Sequence, residues 1–256
     1  MKFRRYAAAL GAAVLPLAFA VPTAQAEETV TFSLNELNNS GATATATLTA
    51  NDDGSLHVQI KGTGYTANAP HAQHIHGSGE GREFFCPSQS TDDNGDGQIA
   101  TEEAIEEYGG VFLSLTTSGD VSADSGLAVD RMPIADANGN IDYSRTIPAS
   151  DLPEGLVENL EHLHIVQHGL DVNGNGTYDL KALGESVFAK SLGVSGIPEE
   201  ATNPAACGEV TPTGGVETGA ASTDGPESLA LFGFGGLALA GAGGALLLRR
   251  RMAEQV

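Results

Sequence analysis

The sequence predicts a mainly β fold, an antiparallel Greek-key β-sandwich with one or two short helices, flanked by an N-terminal signal peptide and a C-terminal transmembrane helix. Three observations predict it. Apolar and polar residues alternate over short runs, which is the period of a half-buried strand. Clusters of Gly, Asn and Asp separate those runs at close intervals, as turns between antiparallel strands require. Only two segments carry helix-start chemistry. Many short strands joined by glycine-rich turns pack as a sandwich or Greek-key barrel.

Taken in order, residues 1–26 open with Lys2, Arg4 and Arg5, continue through an apolar run from Tyr6 to Val21 and end on Ala24 and Ala26. This is the form of a secretory signal cleaved after Ala26. The folded domain is expected over 27–210. Val30 to Leu37 alternates with Val30, Phe32 and Leu34 on one face. Ala42 to Ala50 is Thr/Ala alternation, and Leu56, Val58 and Ile60 again share a face. A histidine strand follows, and further strands are expected at Val111 to Thr117, Leu127 to Ile134, Ile141 to Ile147 and Leu163 to His168. Thr101 to Tyr108 opens with a capping threonine and early glutamates, and Ser150 to Leu160 carries Asp151, Pro153 and Glu154 near its start, so both are expected as helices. Residues 211–227 become rich in Gly, Thr, Ser and Ala without periodicity, a flexible linker. Ser228 to Leu248 carries no charge and precedes Arg249, Arg250 and Arg251; about 20 apolar residues span a bilayer, and the arginines would hold residues 249–256 on the cytoplasmic side.

From Glu27 to Gly225 there are 31 acidic and 6 basic residues. Such a surface repels nucleic acid and anionic lipid and favours cations. Cys86 and Cys207 are the two cysteines of an exported chain, so one disulfide between them is expected. No serine-nucleophile or paired-carboxylate constellation stands out.

The most specific local pattern is Asp92-Asp-Asn94-Gly-Asp96-Gly97-Gln98-Ile99-Ala100-Thr-Glu-Glu103. Oxygen ligands stand at positions 1, 3 and 5, glycine at 6, a backbone carbonyl at 7 and glutamate at 12, the order in which a chain wraps a hard cation. Calcium is therefore expected on Asp92, Asn94, Asp96, the Gln98 carbonyl and Glu103. Ala100 offers nothing at position 9, and no helix is evident before Asp92. A second stretch, Asp171-Val-Asn173-Gly-Asn175-Gly176-Thr177-Tyr178-Asp179, opens in the same way but places Ala182 where the bidentate acid belongs, and is expected to be a turn. Asp136-Ala-Asn138-Gly-Asn140-Ile-Asp142 lacks the position-6 glycine and is expected to be a hairpin turn.

Three of the seven histidines fall in His71-Ala-Gln-His74-Ile-His76. On a strand His74 and His76 share a face, half of a metal site. Glu161-His162-Leu-His164-Ile-Val-Gln-His168 can supply the rest if the two strands meet. The first stretch resembles the His-Ile-His strand of CHRD (chordin-type) domains of exported bacterial proteins, and also the histidine strand of copper/zinc superoxide dismutases. The second resemblance extends to a cysteine about ten residues past the His-x-His pair, joined to an Ala-Cys-Gly near the C-terminus; Cys86 and Ala206-Cys207-Gly208 fit that layout. His168 resembles the last copper ligand of those enzymes. The chain departs from them in having no histidine between Cys86 and His162, where the bridging and zinc-only ligands belong, and in having Pro204 in place of the arginine that guides superoxide.

Two functions follow as expectations. Taken with the calcium loop and the C-terminal segment, the CHRD resemblance implies a surface-anchored, calcium-stabilised binding or structural domain without catalytic activity. The dismutase resemblance implies a copper-binding redox protein with His74, His76 and His168 as ligands and His71 or His164 as alternatives; imidazole clusters suit copper or zinc. Gly215-Val-Glu-Thr218-Gly219, followed by a spacer, an apolar helix and arginines, resembles the sorting signal of Gram-positive surface proteins. A sortase acting at Thr218 and a retained membrane helix both place the domain on the outer face of the cell envelope.

Overall fold

The computed structural model describes residues 28–211. The expected signal peptide, linker, transmembrane or sorting helix and basic tail lie outside the described residues, apart from Thr211, which ends a strand instead of beginning the linker. Among the described residues no helix is long and apolar enough to cross a membrane.

Alternation becomes strand wherever one face can be buried. In β1 (Glu28–Glu36) Val30, Phe32 and Leu34 turn inward. β2 (Thr43–Ala50) and β3 (Leu56–Thr63) pair antiparallel in sequence, so that Phe32, Ala46 and Ile60 form one transverse row. Burying a side chain such as Phe32, Leu48 or Ile60 stabilises the fold by about 1.5 to 3 kcal/mol each. The remaining elements are β4 (Gln73–His76), α1 (Thr101–Tyr108), β5 (Val111–Ser114), β6 (Ile141–Ile147), β7 (His164–His168), α2 (Val187–Ser191), α3 (Glu199–Thr202) and β8 (Pro204–Thr211).

All eight strands join one antiparallel sheet in the order β5-β4-β7-β8-β1-β2-β3-β6. The sheet is curled, and its two edges meet through side chains. Tyr143 Oη on β6 donates to the carbonyl of Thr116, just past β5, at 3.1 Å, and Arg145 Nη1 donates to the same carbonyl at 2.7 Å. Inside the curl Phe32, Leu48, Ile60, Ile75, Leu113 and Ile165 belong to one buried cluster. A smaller cluster of Ile99, Ala104, Tyr108, Val166 and Cys207 lies beneath α1. Cys86 and Cys207 are bonded, with Cα atoms 5.7 Å apart. The bond fastens the segment ahead of the Asp92 loop to β8.

Several expectations are corrected. The strand expected at Leu127 to Ile134 is a 3₁₀ turn at Val129–Arg131 followed by irregular chain. Its backbone is drawn into turns by the Arg131 side chain, which donates to the carbonyls of Ser118 and Asp120. The helix expected at Ser150 to Leu160 is two 3₁₀ pieces, Ala149–Asp151 and Val157–His162. Between them Gly155 adopts a φ of 80°, a left-handed conformation that breaks a helix. The cap of α1 is Ala100, and Thr101 is its first residue; the Thr101 hydroxyl donates to the Thr202 carbonyl instead. β8 escapes periodicity because it lies between β7 and β1 and is buried from Pro204 to Gly208. Strands buried on both faces do not alternate. α2 and α3 span 5 and 4 residues, too short for a 3.6-residue period to register.

Candidate metal centre

β4 and β7 are antiparallel neighbours, with His74 opposite Val166 and His76 opposite His164. Ile75 and Ile165 point into the core, so His74 and His76 face outward from the curl, as their spacing predicts. An irregularity between Gln167 and His168 in the pairing with β8 accompanies the placement of the His168 ring beside them. Ring centroids lie 5.5 Å apart for His74–His76, 5.1 Å for His74–His168 and 6.2 Å for His76–His168. One ring nitrogen from each residue lies within 4.8 Å of those of the other two.

Each ring is set by a backbone carbonyl from outside β4 and β7. His74 Nε2 donates to Gly126 O at 3.0 Å, His76 Nδ1 to Gly109 O at 2.9 Å and His168 Nδ1 to Thr202 O at 2.5 Å. A carbonyl only accepts, so each contact fixes the proton on the contacting nitrogen. The opposite nitrogens, His74 Nδ1, His76 Nε2 and His168 Nε2, are buried without a partner. The rings are 4%, 2% and 4% exposed. Burial holds all three neutral, lowering His76 to about 3 and His168 to about 4 and His74 well below its ordinary value, with mutual repulsion lowering His74 and His76 further. Buried lone pairs without donors normally have an explanation, and three on neighbouring neutral imidazoles are of the kind that can serve copper or zinc. The carbonyls play the orienting part that partners of metal-bound histidines usually play. Gly109 holds its position at a φ of 82°, where an added Cβ would meet the Phe84 ring at 2.8 Å.

The site forms the floor of a cavity of about 490 Å3 walled by Ile105, Val111, Leu127, Phe188 and Leu192, with Asp124 also lining it. Tyr108, fully buried, lies with its ring centroid 4.5 Å from that of His76. Of the alternative ligands, His71 is engaged elsewhere, and His164 keeps a buried Nδ1 without a partner but does not join the cluster. His71 places Nδ1 2.9 Å from His168 O and Nε2 3.1 Å from Thr66 O, with the Tyr178 hydroxyl 3.2 Å from each nitrogen. His164 turns Nε2 toward Glu209. Among the described residues no other His, Cys, Asp or Glu joins the three.

The Asp92 loop follows a 3₁₀ turn at Gln89–Thr91 and leads into α1. Asp92 accepts from the N–H groups of Gly95 and Gly97, Asn94 Oδ1 from Asp96 and Asp96 Oδ1 from Gln98. Glu103 reaches back to the N–H groups of Asn94 and Ala100. The stretch from Asp171 repeats this pattern: Asp171 accepts from Gly174 and Gly176, Asn173 Oδ1 from Asn175, and Asn175 Oδ1 from Thr177. Where Ala182 supplies no acid, Glu200 of α3 takes the place, accepting from Val172 N and Asp179 N at 2.8 Å each. Sequence reasoning missed Glu200 because it lies outside the loop; its one trace is an acidic pair after Pro198 with no basic residue beside it. The Asp136 stretch is a turn, with Asp136 Oδ1 accepting from Asn138 and Asn140.

No family model matches the chain, and no curated protein matches it. Among solved structures it is similar to a crystal structure of the clock protein EA4, at 15% identity and a TM-score of 0.38, over 75% of this chain and 98% of that one.

Proposed function

We propose that the chain is an exported copper protein on a Greek-key β-sandwich of dismutase-like layout, in which His74, His76 and His168 hold one copper ion. The observation that carries this reading is the convergence of three buried, neutral imidazoles, each with one nitrogen fixed on a carbonyl and the other without a partner. Bound copper would supply one-electron exchange between its two common oxidation states. The carbonyls of Gly109, Gly126 and Thr202 would hold the ring planes during such exchange, and the apolar wall of Ile105, Val111 and Phe188 would exclude water. Calcium on Asp92, Asn94, Asp96, the Gln98 carbonyl and Glu103 would brace the segment between Cys86 and α1. Residues 1–26 would direct export, and residues 228–248 would keep the domain at the outer face of the envelope, in the membrane or by way of a sortase.

A second reading, a CHRD-like surface domain without catalytic activity, is favoured by one feature of the pocket. Among the described residues no lysine or arginine lines it, Asp124 does, and Pro204 begins β8 where a dismutase would present an arginine. An acidic approach repels superoxide.

Copper loading of the purified, untagged protein separates the two. The first reading expects one Cu(II) per chain with a nitrogen-rich paramagnetic resonance spectrum, and His74→Ala or His168→Ala each lowering affinity by at least tenfold. Copper retained in neither stoichiometric amount nor nitrogen coordination refutes it and leaves the second.

A further inference from the structure

A polar cavity of about 120 Å3 lies between the Asp92 loop, α1 and α3, and Asn94, Asp96, Gln98, Glu102, Glu199 and Asn203 all line it. Four of its oxygens are shielded from solvent and accept no hydrogen bond: Gln98 Oε1, Glu102 Oε2, Glu199 Oε1 and Asn203 Oδ1. Two of the residues are almost wholly enclosed, Glu199 at 7% and Asn203 at 1% exposed. The other carboxylate oxygen of Glu199 accepts from Val187 N at 2.9 Å, so the free one is held in place.

All four unmatched atoms are acceptors, and two belong to carboxylates. As oriented, these four atoms cannot satisfy one another. Burying an ionised carboxylate without a partner is costly, and native proteins pair it, protonate it or give it a metal. The basic group at this edge, Lys190, is bonded to Glu185 at 3.0 Å. Carboxylates combined with amide carbonyls are the ligands of hard divalent cations.

We propose that Glu102, Glu199, Asn203 and the Gln98 side chain hold a second hard divalent cation, calcium in an extracellular setting, beside the Asp92 loop. This site differs from the loop in its ligands: the loop uses Asp92, Asn94, Asp96, the Gln98 carbonyl and Glu103, whereas here three of the four donors lie on α1 and on α3 or its end. It does not depend on the copper reading.

Calcium titration of the chelator-treated full-length protein, by calorimetry and equilibrium dialysis, tests it. Wild type is expected to bind one calcium more than Glu199→Gln, while Asp92→Ala loses the loop ion and keeps this one. In chelator Glu199→Gln should melt at or above wild type, because an amide removes the buried charge; its rise in melting temperature on adding calcium should shrink. Asn203→Asp adds a charged ligand without disturbing the backbone and should tighten the site at least several-fold. Equal stoichiometry and affinity in wild type and Glu199→Gln, or loss of all binding in Asp92→Ala, overturns the proposal. Binding that Asp92→Ala leaves unchanged and Glu199→Gln removes would refute the loop as a site and uphold this one.

Discussion

At the scale of the residue, the three imidazoles are most informative through the nitrogen each leaves free. That His74 and His76 share a face is legible in the sequence, because a strand repeats every two residues. His168 stands in the second histidine cluster, but its selection from that cluster comes by resemblance, and the choice of nitrogen is not legible at all, since Gly109, Gly126 and Thr202 arrive from three separate segments. His71 differs in having neither nitrogen free: each lies near a backbone carbonyl, and the Tyr178 hydroxyl, within reach of both, can donate to the one that carries no proton. The neutral rings also predict a pH dependence. In the unfolded chain a histidine titrates near 6.5, whereas His76 and His168 in the fold hold out to about 3 and about 4. Below pH 6.5 the unfolded chain therefore binds more protons, and stability falls on acidification, by about 1.4 kcal/mol per pH unit for each such ring. The window closes as pH drops through the folded values. Melting of the metal-free protein should decline steeply between pH 6.5 and 4.5, and a flat profile there would show that the rings are not buried as neutral species.

At the scale of the element, α3 concentrates more than its four residues suggest. Glu200 closes the Asp171 loop, the Thr202 carbonyl receives His168 Nδ1 and the Thr101 hydroxyl, and Glu199 faces the acidic cavity. None of this shows in sequence, because a single helical turn has no period to read and its partners lie tens of residues away. β1, β2, β3 and β6, by contrast, are legible from alternation alone. Glu200→Ala strands the N–H groups of Val172 and Asp179 and should cost roughly 1 to 3 kcal/mol; Glu200→Gln, which keeps one acceptor, should cost less. Chemical denaturation of both variants checks the order, and indistinguishable stabilities would mean that solvent replaces Glu200 at the loop.

At the scale of the whole molecule, the disulfide links residues 121 positions apart, and the pairing was legible because two cysteines allow one intrachain bond. A loop of that length corresponds to about 4 to 5 kcal/mol in the chain-entropy account. Cys86 lies in the segment that leads through the Asp92 loop and α1 to Gly109, whose carbonyl orients His76. Reduction, or Cys86→Ala with Cys207→Ala, should lower the melting temperature strongly and weaken copper binding together. Unchanged copper affinity after reduction would show that α1 holds Gly109 without help from the bond.

The meeting of Tyr143 and Arg145 with Thr116 has a consequence for life in a crowd. An open strand edge presents free N–H and C=O groups on which another chain can add as a further strand, the first step toward aggregation. In this sheet the two outermost strands turn toward each other, and a guanidinium and a phenol occupy the seam. A neighbouring copy would meet that seam rather than a template for strand addition, so close packing of many copies need not end in fibres.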